Sequence, residues 1–307
     1  MLLITGATGF VGRHLANELA LRNIPFRGAS RTAVDGLLGV GPLSGTTDWQ
    51  TAVVGSDTVV HLAAVNENVV AKGAEDCGAY DTVNVEATAA LARQAAAAGV
   101  KRFVFLSTVK VNGETSQPGV PFSSFDGPMP ATPYARSKHR AEQGLVEIAG
   151  HTGMDLVILR PPLVYGRGSK GSFNGLVSLV RKGWPLPLGA IDNRRSMIYV
   201  ENLCDLIITV CLAPRENEQS APSIAMASDG FTISTAGLVR MIASAIDRKI
   251  LMPAVPKGVI RMLGKVSGKD AIVDRLLENL EIVDDEVKRQ FNWSPKWSAE
   301  EAIVRSI

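Results

Sequence analysis

The chain has 307 residues, of which 46% are hydrophobic and 20% are charged, and its formal net charge is +2. This length and composition are typical of a globular protein with one large domain, or with a large domain and a smaller one. A net charge so close to zero gives no field that would attract nucleic acid or an acidic membrane surface, so we expect neither as a partner.

Short apolar runs alternate with stretches of helical periodicity over the first half of the chain. The predicted strands lie at 2–5, 26–29, 58–62, 103–107 and 156–160, and the predicted helices at 12–22, 81–98 and 134–149. This alternation predicts an α/β fold with a doubly wound parallel (Rossmann) sheet that carries helices on both faces. Ligands of such a sheet bind at the carboxyl ends of its strands.

A glycine-rich turn, TGATGFVG at 5–12, joins the first predicted strand to the first predicted helix. Gly6, Gly9 and Gly12 recur in it every three residues. Glycine allows the tight turn and a close approach of the backbone to a ligand, and a helix start offers unpaired N–H groups to phosphates. The turn therefore predicts a site for the pyrophosphate of a dinucleotide. A turn without a ligand would leave the spacing unexplained.

Tyr134 and Lys138 are spaced i and i+4 on a predicted helix. A phenol with a pKa near ~10 is a poor base at neutral pH. A neighbouring ammonium, together with an oxidised nicotinamide, would lower that pKa and let the pair move a proton on or off a substrate hydroxyl. Ser107 and Thr108 end a predicted strand upstream, where a hydroxyl can orient the reacting oxygen. A solvated helix face and a simple turn are the alternative interpretations.

The second half of the chain lacks the regular alternation of strands and helices that the first half shows. Proline and glycine punctuate 161–190, a helix is predicted near 173–182 and a strand near 197–200, and the chain is mainly helical from about 248 onward. We predict a dinucleotide-binding domain at 1–165 that regains chain near 191–245. A smaller, mostly helical substrate-binding domain is predicted at 166–190 and 246–307.

The cysteine content bears on the compartment. Cys77, Cys204 and Cys211 form neither a CxxC pair nor a cluster with histidine, which argues against disulfides and a metal site and favours a reducing compartment. No apolar run reaches the ~20 residues of a membrane span, and no basic leader precedes the first apolar residues. We therefore expect a cytoplasmic protein without metal, membrane insertion or signal peptide.

Together the motifs resemble an extended short-chain dehydrogenase/reductase of the NAD(P)-dependent nucleotide-sugar epimerase and reductase group. The resemblance rests on the glycine turn, HLAA at 61–64, Asn84, the Ser107–Thr108 pair, the Tyr134–Lys138 pair and RPPLVYG at 160–166. It implies a catalytic triad of Thr108, Tyr134 and Lys138. The cofactor-binding residues that it implies are Gly6, Gly9, Phe10, Val11, Gly12, Ser30, Arg31, Leu62, Ala63, Ala64, Ser107, Tyr134, Lys138 and Pro161.

The resemblance also implies a UDP-sugar substrate lying between the two domains. The substrate-binding residues that it implies are Ser107, Thr108, Asn174, Arg195 and Arg275. Arg195 matches the arginine with which the family grips the diphosphate, a task that suits a guanidinium because it donates two parallel hydrogen bonds. Arg275 matches a second such position. A solvated turn before a strand is the alternative for Arg195.

Three positions depart from the family pattern. NAD-using relatives carry an acidic residue at the end of the second strand, where this chain has Ser30 and Arg31. A carboxylate there would repel a 2′-phosphate, whereas these residues could bind one, so we favour NADP(H) over NAD(H). Pro42-Leu43 replaces an Asp near the adenine. Leu163 stands where many sugar epimerases have an Asn that bonds the diphosphate.

The cofactor preference favours one reaction over its alternatives. A net reductase draws NADPH from a pool, so we expect reduction of a UDP-4-keto-6-deoxy-N-acetylhexosamine in surface-polysaccharide synthesis. A 4-epimerase of UDP-glucose or UDP-GlcNAc is the alternative, and a non-catalytic NADP-binding regulator is a remote one. Dehydration is disfavoured because Val109-Lys110 replaces the acidic pair that follows the catalytic hydroxyl in dehydratases. The family also implies a homodimer built on the helices at 81–98 and 134–149.

Overall fold

A parallel seven-stranded sheet in the order β3-β2-β1-β4-β5-β6-β9 forms the centre of the molecule. The computed structural model describes residues 1–34, 36–67, 77–214 and 222–307. The strands of this sheet are β1 Leu2–Thr5, β2 Phe26–Ser30, β3 Leu38–Gly39, β4 Thr58–His61, β5 Arg102–Leu106, β6 Asp155–Arg160 and β9 Ser223–Met226. The predicted α/β class and doubly wound parallel sheet are confirmed.

Helices cover both faces of the sheet. The helices are α1 Phe10–Leu21, α2 Gln50–Val53, α3 Cys77–Tyr80, α4 Ala87–Ala97, α5 Pro133–Thr152, α6 Ser172–Lys182, α7 Val200–Leu212, α8 Thr235–Ala245, α9 Lys257–Val266, α10 Asp270–Leu277, α11 Asp285–Phe291 and α12 Ala299–Ser306. Side chains of β1 alternate between the faces, as a strand requires. Leu2 and Ile4 pack in one core with α1 and α7, and Leu3 packs in the other with α4 and α5.

The predicted helix at 81–98 is interrupted by a wider turn. Between α3 and α4 the chain forms a π-helical stretch, Asp81–Glu86, that contains the buried Asn84. The Asn84 amide accepts from the Val65 N–H at 2.8 Å and donates to the Val65 carbonyl at 2.9 Å and to the Ser137 hydroxyl at 2.9 Å. Such π turns occur often at functional sites. This one ties the segment after β4 to α5.

A second, three-stranded sheet lies beside the first. Its strands are β7 Leu163–Tyr165, β8 Arg195–Tyr199 and β10 Thr232–Ile233, in the order β10-β8-β7. The strand predicted near 197–200 corresponds to β8. The division into two domains stays a prediction, and its ranges include residues 35, 68–76 and 215–221, which lie outside the described residues. Among the described residues, no helix is long and apolar enough to cross a membrane.

His61, at the end of β4, contacts residues of β1, α4 and β5. Its ring nitrogens hydrogen-bond the hydroxyls of Thr5 at 2.6 Å and Thr88 at 2.8 Å, and the ring stacks on Phe105. Burial lowers the pKa of the imidazole to about 3, and the charge of Lys138 acts in the same direction. His61 therefore accepts a proton far more readily in the unfolded chain than in the folded one.

We predict that His61 makes the protein less stable as pH falls from about 6.5 towards about 3. In this window the unfolded state binds one more proton at this site, so the free energy of unfolding falls by about 1.4 kcal/mol per pH unit. Urea unfolding of wild type and His61→Asn between pH 7 and 4.5 measures the slope. The variant should lose this part of the pH dependence, and equal slopes in the two proteins would contradict the account.

Candidate active site

The glycine turn between β1 and α1 is packed so closely that side chains have no room. Gly6 has a φ of +68°, and a Cβ on it would lie 2.7 Å from the backbone nitrogen of Ala63. A Cβ on Gly12 would collide with the Gly6 carbonyl and the Ala7 Cα. The Gly9 N–H donates to the Gly6 carbonyl at 2.8 Å, and the first turn of α1 has no acidic residue. The turn suits a pyrophosphate, because unpaired N–H groups at the start of α1 are left for an anion.

We predict that Gly12→Ala weakens dinucleotide binding at least tenfold, because the new methyl group must push α1 away from the turn. Gly144→Ala on α5 is the matched control, since nothing lies within 4 Å of its added Cβ. The control should keep wild-type binding and gain up to about 1 kcal/mol of stability from helix propensity. Titration calorimetry with NAD and NADP measures the affinities. Wild-type affinity in Gly12→Ala would contradict the close packing.

The start of α5 places Tyr134 and Lys138 one turn apart. Thr132 caps the helix by accepting from the Ala135 N–H, and Pro133 occupies the first helical position. The Tyr134 ring is partly buried, with its centroid 6.2 Å from that of Tyr80. Lys138 is only 2% exposed. Its ammonium lies 4.0 Å from the centroid of the Phe105 ring, on β5.

The surroundings keep a proton on Tyr134. Burial raises the pKa of the Tyr134 phenol, and the charge of Glu67 and the neighbouring Tyr80 raise it further. Burial lowers the pKa of Lys138 to about 7, partly offset by Glu142. In the protein by itself, the pKa of the Tyr134 phenol is thus raised above its ordinary value. On the sequence alone, the neighbouring Lys138 is expected to lower it. A lowering caused by an oxidised nicotinamide stays a prediction.

A buried polar network that the sequence analysis missed lies behind Lys138. Arg160 donates to both carboxylate oxygens of Glu142, at 2.9 and 2.5 Å, and to the Asn112 carbonyl oxygen at 3.0 Å. The Ser107 hydroxyl also donates to Glu142, at 2.5 Å. Every member of the network is buried. The available signal was the spacing, because Glu142 follows Lys138 by one helical turn.

We predict that Glu142→Gln lowers the free energy of unfolding by about 3–5 kcal/mol, because it leaves the Arg160 charge buried without its partner. The double variant Glu142→Gln/Arg160→Met should recover part of that loss, since it removes both charges. Urea unfolding of wild type, Glu142→Gln, Arg160→Met and the double variant forms a double-mutant cycle. Additive losses would show that the two side chains do not act as a pair.

The two adjacent hydroxyls after β5 have different partners. The Ser107 hydroxyl gives its proton to Glu142. The Thr108 hydroxyl oxygen accepts from the Lys110 N–H at 3.3 Å and caps a short 3-10 turn, Val109–Val111. Within the described part of the chain, no acceptor takes the Thr108 hydroxyl proton. Of the two, Thr108 is thus the hydroxyl with a proton left to donate.

Two arginines, Arg195 and Arg275, line one cavity together with Leu163, Phe173 and Met197. Arg195 lies on β8 and donates to the Glu278 carbonyl at 3.0 Å. Arg275 lies on α10. Burial lowers the pKa of Arg195, and the positive charge of Arg275 lowers it further. Two guanidinium groups that line one cavity favour the binding of an anion there.

Glu67 joins this cavity to the start of α5. Its carboxylate accepts from the Lys110 ammonium at 2.7 Å, from the Thr132 hydroxyl at 3.3 Å and from Arg275 at 3.1 Å. Because Thr132 caps α5 two residues before Tyr134, the arginine cavity and the Tyr134–Lys138 pair border the same carboxylate. No sequence pattern pointed to Glu67, because its partners are distant along the chain.

The remaining predicted residues lie in several environments. Leu62 and Ala63 abut Gly6, and the buried Pro161 accepts from the Val109 N–H at 3.0 Å. Phe10 and Val11 begin α1. Ala64 and Arg31 are exposed, and the buried Ser30 donates its hydroxyl to the Thr32 carbonyl.

Asn174, which was predicted to bind the substrate, donates to the Ser169 carbonyl. The cavity lining includes its neighbours Ser172 and Phe173 but not Asn174 itself.

Comparison with known proteins gives the family. The NAD dependent epimerase/dehydratase family matches residues 2–224. The chain belongs to this family. A UDP-glucose 4-epimerase of Vibrio cholerae is 40% identical over 311 residues, which cover 99% of this chain and 94% of that protein. An N-acetyl-alpha-D-glucosaminyl-diphospho-ditrans,octacis-undecaprenol 4-epimerase of Escherichia coli O157:H7 is 29% identical over 216 residues, 67% of this chain and 61% of that protein.

Solved structures share this fold. MoeE5 in complex with UDP-glucose and NAD superimposes with a TM-score of 0.77 and 20% identity, over 99% of this chain and 96% of that one. The UDP-N-acetylglucosamine 4-epimerase of Bacillus cereus gives a TM-score of 0.79 at 17% identity, over 99% of this chain and 96% of that one. At these identities the likeness establishes the fold alone.

Proposed function

We propose that this member of the epimerase/dehydratase family catalyses oxidoreduction at C4 of a UDP-linked sugar. More narrowly, the reaction is reduction of a UDP-4-keto-6-deoxy-N-acetylhexosamine in surface-polysaccharide synthesis. The observation that carries the proposal is the pair Arg195 and Arg275 at one cavity, bordered by the carboxylate that also touches the start of the Tyr134 helix. A diphosphate at the arginines would lay the attached sugar towards Tyr134.

The proposed roles follow from the protonation states and contacts of the side chains. Tyr134 delivers its phenolic proton to the sugar O4, a role that suits a phenol whose pKa is raised. Lys138, held over Phe105, stabilises the phenolate that remains. Thr108 donates a hydrogen bond to the reacting oxygen. The nicotinamide cofactor, when bound, supplies the hydride to C4. Gly6, Gly9 and Gly12 bind its pyrophosphate.

The cofactor proposed for this site is NADP(H). Arg31 is exposed directly after β2, and within the described residues no carboxylate pairs with it. The buried Ser30 precedes it. A guanidinium at this position can bind a 2′-phosphate, whereas the acidic residue of NAD-using relatives would repel one. The family name and the MoeE5 complex give NAD for those relatives, so NAD(H) is the competing cofactor.

We predict that Arg31→Ala raises the Kd for NADPH at least fivefold and leaves the Kd for NADH within twofold, because only NADPH carries the 2′-phosphate. Arg27→Ala is unsuitable as a control, since Arg27 donates to the Ala52 and Val54 carbonyls. Arg93→Ala on α4 is the matched control, because Arg93 is also an exposed arginine. Quenching of protein fluorescence measures both constants. Equal losses for the two cofactors would contradict the 2′-phosphate contact.

A 4-epimerase is the second candidate, and the Vibrio cholerae relative favours it, because that protein is named a UDP-glucose 4-epimerase and matches almost the whole chain. The same residues would serve both reactions. In the epimerase, Tyr134 removes the O4 proton first and returns it after the keto sugar has turned over, with no net change in the cofactor.

One incubation experiment separates the two candidates. The protein is mixed with UDP-glucose or UDP-GlcNAc together with NAD⁺ or NADP⁺, and separately with a UDP-4-keto-6-deoxy-N-acetylhexosamine together with NADH or NADPH. Stoichiometric loss of reduced-nicotinamide absorbance with the keto sugar alone supports the reductase. Interconversion of UDP-glucose with UDP-galactose, or of UDP-GlcNAc with UDP-GalNAc, without net cofactor change establishes the epimerase. Failure with every sugar would contradict both candidates and favour a dinucleotide-binding regulator.

The assembly that we propose is a homodimer through α4 and the adjacent α5. Two of the small residues that would permit close approach, Ala87 and Ala90, are buried within the single chain, whereas Ala89 is partly buried and Ala97 is exposed. The available contact surface is therefore the outer side of α4 together with α5. Analytical ultracentrifugation over a concentration series tests the dimer, and a monomer at every concentration would rule it out.

A further inference from the structure

Helix α9 exposes an apolar face that the proposed function does not use. Its inner side packs on α10: Ile260 and Gly264 are buried, and a Cβ on Gly264 would lie 2.7 Å from a methyl group of Val273. The outward apolar residues are Val259, Met262, Leu263 and Val266, with exposed fractions of 43%, 60%, 55% and 83%. Each is exposed in the single chain.

These outward residues form one continuous stripe. Positions 259, 262, 263 and 266 stand at i, i+3, i+4 and i+7, the spacing that places side chains on one side of an α-helix. In a globular protein such a stripe ordinarily packs on the core. A contiguous apolar patch left on the surface is typical of a contact with another body.

Basic residues accompany the stripe. The segment 257–269 contains Lys257, Arg261, Lys265 and Lys269 and no acidic residue. Lys257 pairs with Asp192, and Arg261 pairs with Asp274 and Glu278. Across the described ranges, no carboxylate pairs with Lys265 or Lys269.

This local charge differs from that of the whole chain. The net charge of +2 hides it, since the remainder of the chain is net negative once these four cations are set aside. The low total charge therefore does not exclude an acidic surface as a partner for this one segment.

The apolar stripe and the two lysines without a carboxylate partner in the described ranges favour one kind of partner over another. A second copy placed on the same stripe by two-fold symmetry would bring its own lysines against these, and like charges would oppose the contact. An anionic lipid surface accepts both features: apolar side chains enter the boundary of the acyl chains, while lysine stems extend along it and their ammonium groups reach the headgroups.

We propose that α9 docks the protein peripherally onto an anionic lipid surface. The helix lies in the plane of the interface with the stripe at 259, 262, 263 and 266 inserted and Lys265 and Lys269 on the headgroups. Because α10 packs under α9 and carries Arg275 and Leu276 of the cavity, docking brings one wall of the cavity next to the lipid. The proposal goes beyond the reaction at C4 and does not depend on it.

The test is co-sedimentation of the full chain with vesicles of phosphatidylcholine alone or of phosphatidylcholine mixed with phosphatidylglycerol. We expect binding to the mixed vesicles, weakened by added salt, and at least tenfold weaker binding to the neutral ones. Leu263→Ser/Val266→Ser and Lys265→Glu/Lys269→Glu should each reduce binding to mixed vesicles at least tenfold. Val304→Ser, which changes an apolar residue with 60% exposure on α12, is the matched control and should bind like wild type.

Dinucleotide affinity and urea unfolding show that the variants are folded, because all of the changed side chains are outside the site. Wild-type protein that sediments with neither vesicle would overturn the proposal. The proposal would also be overturned if Leu263→Ser/Val266→Ser bound the mixed vesicles as tightly as wild type, or if wild type bound neutral and anionic vesicles equally. Conversion of a dimer into a monomer by Leu263→Ser/Val266→Ser in ultracentrifugation would assign the stripe to a second copy instead.

Discussion

The burial of the Lys138 charge is the constraint on which the rest of the site depends. An ammonium removed from water is costly unless neighbouring groups stabilise it. Here the Phe105 ring lies 4.0 Å away and Glu142 follows one turn later on the same helix. Glu142 in turn accepts from Arg160 on β6 and from Ser107 after β5. The contacts that make the buried lysine tolerable thus also fix α5 against the sheet, and with it the position of Tyr134.

The charges around the cavity would suit the anionic ligand that we propose. Glu67 compensates Lys110 and Arg275 in the chain alone, and both its carboxylate oxygens have cationic partners. Arg195 faces the same cavity, and the positive charge of Arg275 lowers its pKa. In the proposed complex, a diphosphate would take over Arg275 from Glu67. The neutral His61 behind the site adds no further charge, because burial keeps its pKa at about 3.

Local patterns in the sequence sufficed for five of the seven strands of the central sheet, all but β3 and β9, and for the parts of the site that lie close along the chain. Glycine spacing located the turn at Gly6, and the i, i+4 spacing put Tyr134 and Lys138 on one helix face. Glu142 and Arg160 escaped prediction because their pairing is made by the packing of α5 on β6. The π turn at Asp81–Glu86 is invisible to a 3.6-residue periodicity. The net charge of the whole chain, likewise, did not reveal the basic segment 257–269.

An isotope experiment follows the transfer of hydride to the sugar and the delivery of its proton by Tyr134. Wild type and Tyr134→Phe are mixed with NADPH carrying deuterium at the transferring position and with a UDP-4-keto-6-deoxy-N-acetylhexosamine, and the product is examined by NMR. We expect deuterium at the sugar C4 with wild type. Transfer should be at least 100-fold slower in the variant, which should still bind the cofactor. A product without deuterium at C4, or transfer at the wild-type rate by Tyr134→Phe, would contradict this mechanism.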